Sequence, residues 1–113
     1  MKKLSLILLL VAGASFAEAS TNTSQVLDVR LNSSTVTAGN ARVSILLSGS
    51  TSCTGAVGWY AFEYPDSGSG AAMGKAWLAS ALSALANGRS LTIGGTGACD
   101  SFGIETISYI DAL

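Results

Sequence analysis

The sequence predicts a small domain that is mainly β: five strands and one helix in the order β-β-β-α-β-β, closed into a barrel and stapled by one disulfide. Three observations predict it. Several short runs alternate apolar and polar residues with a period of two, the mark of half-buried strands. One stretch, Ala71–Ala86, has helical composition and is bracketed by glycine-containing turns. The only two cysteines, Cys53 and Cys99, both fall in loops between those runs.

The chain opens with Lys2 and Lys3, an apolar run over 4–12, and small residues at the −3 and −1 positions of two cleavage sites, after Ala17 and after Ala19. This is the layout of a secretory signal peptide over residues 1–19. The apolar run is shorter than the roughly 20 residues that span a bilayer. Taking 19 or 17 residues from 113 leaves 94 or 96, enough for one domain over 20–113 and no second.

The first expected strand covers 25–32, with Leu27, Val29 and Leu31 on the core side. A polar stretch turning at Ala38-Gly39-Asn40 leads to a second strand over 41–48, with Val43, Ile45 and Leu47 inward. A loop of small residues carries Cys53. The third strand, 57–64, gathers Trp59, Tyr60, Phe62 and Tyr64 and closes at Pro65-Asp66. Ser67 or Ser69 is expected to cap the helix, and Asn87-Gly88 to end it. Leu78, Leu82 and Leu85 form one apolar stripe, with Met73, Trp77 and Ala81 beside it. Lys75 is the helix's single charge, so the helix should be packed on both sides or meet another subunit. A fourth strand over 90–94, a glycine-rich loop over 95–103 and a fifth strand over 104–113 complete the order. The expected core is Leu27, Val29, Val43, Ile45, Phe62, Leu91, Ile93 and Ile107, with Leu82 facing it from the helix.

Composition excludes several chemistries. Histidine is absent, which removes Ser-His-Asp triads, Cys-His pairs and imidazole zinc sites. Beyond the leader, Arg30, Arg42, Lys75 and Arg89 face seven acids, or six without Glu18, for a net charge of −3 or −2. Four cations make no nucleic-acid surface. Cys53 and Cys99 are an even pair in a small exported domain and are expected to be bridged. Gly94-Gly95-Thr96-Gly97 lacks the Lys-Ser/Thr of a phosphate loop, and no D-x-D-x-D-G spacing marks a calcium site. Glu63, Asp66, Asp100 and Glu105 are expected as solvated carboxylates and not as a hydrolytic pair. No catalytic residue, metal or cofactor is expected.

The aromatic third strand is the one segment that suggests a ligand. On a period of two, Tyr60, Phe62 and Tyr64 share one face and Trp59, Ala61 and Glu63 the other. Trp59 beside a carboxylate, with Tyr64 and Asp66 released from the sheet by the Pro65 turn, would suit sugar rings. Trp59, Tyr64 and Asp66 are therefore the candidate ligand residues.

The layout Cys53, Trp59-Tyr60, helix 71–86, Asn87-Gly88-Arg89-Ser90-Leu91-Thr92-Ile93 and Cys99 resembles the OB-fold B subunits of bacterial AB5 toxins, especially the subtilase-cytotoxin and pertussis-type branch. It is also similar to short periplasmic proteins of Gram-negative bacteria. The resemblance covers nearly the whole exported part and rests on topology; no binding motif maps residue by residue. It implies an OB-like barrel and a non-catalytic, periplasmic or extracellular binding module. A glycan would be its ligand and a homo-oligomeric ring its assembly. The alternative is a monomeric structural or inhibitory protein whose partner is another envelope protein.

Overall fold

The computed structural model describes residues 21–49, 51 and 53–112; the expected signal peptide lies outside the described residues. Among the described residues five strands and one α-helix follow in the expected order: β1 (Thr21–Ser33), β2 (Asn40–Leu47), β3 (Trp59–Pro65), α1 (Ala71–Ala86), β4 (Ser90–Cys99) and β5 (Glu105–Ala112), with a short 3-10 turn over Thr54–Ala56. The strands form one closed barrel in the order β1-β2-β3-β5-β4, an OB-like arrangement with the helix in the β3–β4 crossover. Every pairing is antiparallel except β3 with β5.

The barrel closes through a segment without apolar periodicity. Residues 21–25 of β1 read Thr-Asn-Thr-Ser-Gln, yet they pair with Gly94 back to Ser90 of β4. The other half of β1 pairs with β2. Between the halves lies a bulge at Val26/Asp28, and it shifts the alternation by one residue. Val26 is consequently buried, while Leu27, expected in the core, is 51% exposed. Leu31 is exposed as well, and Val29 only borders the core. The remaining expected core residues, Val43, Ile45, Phe62, Leu91, Ile93 and Ile107, are buried, joined by Leu47, Tyr60 and Tyr64. Each such side chain contributes about 1.5–3 kcal/mol on removal from water.

The helix presents its small residues to the barrel. Ala71, Gly74, Ala81 and Ala84 are buried, Trp77, Leu78 and Leu85 are half-buried, and Leu82 is 46% exposed. The expectation that Leu82 faces the core is thus corrected. Gly74 explains the close approach: a Cβ there would run into the Tyr64 ring. Neither Ser67 nor Ser69 caps the helix; Gly70 occupies the N-cap at φ +89° without a side-chain hydrogen bond. The C-terminus is as expected, with Asn87 Nδ2 donating to the Ser83 carbonyl at 2.8 Å and Gly88 at φ +64°.

The glycine-rich 95–99 segment is strand and not loop. Its glycines make room for β5 side chains: Tyr109 lies over Gly94, and the Glu105 carboxylate over Gly95. Glu105, expected in solvent, is fully buried, and its Oε2 accepts the Gly97 N–H at 3.1 Å. A register shift at Gly94/Gly95 turns Tyr109 outward while Ile107 stays inside.

Candidate functional site

The outer surface of β1–β3 is built from the residues that alternate away from the core: Arg30 and Asn32 on β1, Arg42 and Ser44 on β2, Trp59, Ala61 and Glu63 on β3. Register sets Arg30 opposite Ser44, Asn32 opposite Arg42, and Arg42 opposite Glu63. Ser44 and Ala61 are nonetheless buried. The 100–104 loop between β4 and β5 reaches this surface, with Asp100 and Phe102 on Arg42 and Ile104 near Ser44.

Three devices hold that loop. The Cys53–Cys99 disulfide, with Cα atoms 5.8 Å apart, ties its start to the segment before β3. Within the loop, Asp100 Oδ1 accepts the Phe102 and Ile104 N–H groups at 2.8 and 3.1 Å, and the Asp100 carbonyl accepts the Gly103 N–H at 2.9 Å. Asp100 Oδ2 meets Arg42 Nη2 at 2.6 Å, and the Phe102 ring covers the same guanidinium at 4.7 Å. Burial pushes the Asp100 carboxyl up. The hydrogen bonds from Arg42, Ile104 and Phe102 and the guanidinium charge outweigh it, and the group ends below the ordinary carboxylate value.

Two hollows open nearby, one against the loop and one clear of it. One, of about 400 Å³, is walled by Trp59, Arg30, Asn32, Ser44 and Ile104. The Arg30 guanidinium stands 5.0 Å over the indole and is held by Asp28 at 2.9 Å. A second, of about 520 Å³, lies at the β1–β2 turn on the inward-alternating face, and is lined by Leu31, Asn32, Ser33, Ala41, Tyr64 and Asp66. Asn32 belongs to both.

Of the three candidate ligand residues, Tyr64 and Asp66 line one hollow and Trp59 lines the other. Tyr64 is not released from the sheet, since β3 continues through Pro65 and Tyr64 pairs with Ala41. Its ring is buried under α1, which leaves Asp66 as the exposed member of that pair. Sequence reasoning did not single out Asn32, Arg30, Arg42 or Phe102. Arg42 carried a usable signal, as a lone cation in an otherwise apolar alternating strand. Of the four carboxylates expected in solvent, only Asp66 is exposed.

Fold and surface together define a class: a disulfide-stapled, OB-like five-stranded barrel with a polar and aromatic hollow outside strands 1–3 and a second hollow at the β1–β2 turn. Compared with family models, with curated proteins and with solved structures, the chain matches none.

Proposed function

We propose that this protein is a non-catalytic binding module, exported to the periplasm or beyond, that recognises a glycan running from the Trp59 hollow outside β1–β3 round to Asp66 at the β1–β2 turn. The observation that carries this is the hollow where an indole stands among Arg30, Asn32 and Ser44. At Asn32, near the end of β1, it borders the second hollow, with Asp66, Asn40 and Ser33. Trp59 and Asp66 are seven residues apart along a strand and its exit, about 20 Å at strand rise, which suits an extended oligomer more than one ring. Sugar rings offer C–H faces to an indole and hydroxyls to amides and carboxylates, which is the polarity this track presents. OB-like barrels commonly bind oligosaccharides on this side, an analogy of fold that adds support without assigning residues.

Assembly into a homo-oligomer is part of the same proposal. The outward side of α1 exposes Met73, Leu82 and several alanines, and Lys75 is the helix's only charge. Light scattering on the exported protein is expected to show an oligomer; a monomer at micromolar concentration favours the envelope-partner alternative.

A glycan array tests the ligand. Wild type should bind, and Trp59→Ala and Asp66→Ala should each weaken binding about tenfold, as for the loss of a stacking or hydrogen-bonding group. No binding to any glycan, or binding indifferent to both substitutions, overturns the assignment.

A further inference from the structure

The barrel's weakest seam is the parallel one. β3 pairs with β2 at seven positions, but with β5 only at Tyr60↔Glu105 and Ala61↔Thr106. Beyond Ala61 the two strands part, and a slot of about 470 Å³ opens between them. Its walls are apolar: Phe62 from β3, Ile107 from β5 and Trp77 from α1. The indole stands edge-on to Phe62, with centroids 5.2 Å apart and planes at 89°.

The rim is charged and unevenly so. Arg42, Glu63 and Asp100 all line the slot, two carboxylates to one guanidinium. Arg42 is spent on Asp100 at 2.6 Å and covered by Phe102. Asp100 is spent in turn, with Oδ2 on Arg42 and Oδ1 on two backbone amides. Glu63 is different. Its ion-pair contact is a loose 3.6 Å to Arg42, beyond good hydrogen-bonding distance, and its side chain is 18% exposed. The slot therefore offers an under-compensated carboxylate above aromatic and aliphatic walls.

We propose that this slot binds a primary alkylammonium group, with its stem against Phe62, Trp77 and Ile107 and its nitrogen donating to Glu63. Charge complementarity selects it. An anion would add to the rim's excess negative charge, and a neutral apolar guest would bury Glu63 further without a partner. A hydroxyl-rich guest would leave the apolar walls unmatched. An ammonium supplies donors to the carboxylate and lies well beside aromatic rings. Free alkylamines and lysine side chains share this chemistry. The slot shares no lining residue with the Trp59 and Asp66 hollows, and the proposal does not depend on them.

The test is a titration of isotope-labelled protein at neutral pH, following the Trp77 indole N–H. Its resonance is assigned by its loss in Trp77→Phe. n-Butylammonium is expected to give a saturable shift that weakens as salt is added, and n-butanol and n-butyrate much smaller ones. Glu63→Gln should lower n-butylammonium affinity about tenfold, the usual effect of losing a charge-assisted hydrogen bond. Asp111→Asn removes an equal charge at an exposed distant position and should leave affinity unchanged. A backbone-blocked lysine is the second arm. Binding equal to that of n-butylammonium identifies protein lysines as the source, and much weaker binding identifies free amines. Three results overturn the proposal: no saturable shift at Trp77, equal shifts with n-butanol, or equal affinity in Glu63→Gln and wild type with both folded by their spectra.

Discussion

Asp100 does more than any other single residue to shape the outer surface. One oxygen organises the turn of its own loop, and the other fastens that loop to Arg42 on β2. Its carboxyl titrates below the ordinary range, so its contribution to stability is complete above that range and is lost as pH falls through and below it. Asp100→Asn keeps an oxygen for the backbone amides but loses the charge. It should cost about 1–3 kcal/mol at neutral pH, and the gap to wild type should close as pH falls through and below the ordinary carboxylate range. Urea unfolding of both proteins across that range checks the size and the sign. Arg42 is the complementary case, a cation whose two carboxylate partners lie 21 and 58 positions along the chain.

Among the elements, α1 is the one whose packing runs against intuition. Leucines are normally a helix's anchors, but this helix comes so close to β3 that alanine and glycine fill the contact. Gly74→Ala gains about 1 kcal/mol in helix propensity. The gain is outweighed because the new methyl meets Tyr64, whose backbone is fixed by pairing with Ala41. A net destabilisation of about 1–3 kcal/mol is expected. Leu82→Ala should change stability by less than about 0.5 kcal/mol in the monomeric state, since the side chain is exposed. Thermal and urea denaturation of the two variants side by side tests this inversion of the usual order. β4 follows the same logic: Gly94 and Gly95 let β5 side chains lie across the strand, so they mark close packing and not a break.

Over the whole molecule, the disulfide and the barrel closure act together. Cys53 and Cys99 are 46 residues apart, and their bridge encloses β3, α1 and β4. Constraining a loop of that length in the unfolded chain is worth about 4 kcal/mol in the entropy model. Reduction should therefore lower stability by about that amount, measured as the shift in urea unfolding with and without reductant. It should also loosen the Asp100 loop, seen as faster amide exchange at Phe102 and Ile104. A small barrel with a small core has little stability to spare, so the effect should be large relative to the total.

The element order, the helix bounds and the cysteine pairing were legible in the sequence. Each depends on local periodicity, on Asn-Gly at a helix end, or on the parity of cysteines, and these act over a few residues or none. The facing of side chains was less legible wherever a bulge intervened. Leu27, expected inward, lies outward beside a buried Val26, because a one-residue shift in pairing reverses a strand's two faces, and pairing partners are remote in sequence. The burial of Glu105, the small-residue contact of α1 and the closure by residues 21–25 also arise between distant segments. So do the Arg42–Asp100 clasp and the slot beside Glu63. Tertiary structure alone decided these, because each is a matter of how near two elements lie, and that distance is set by the side chains of both at once.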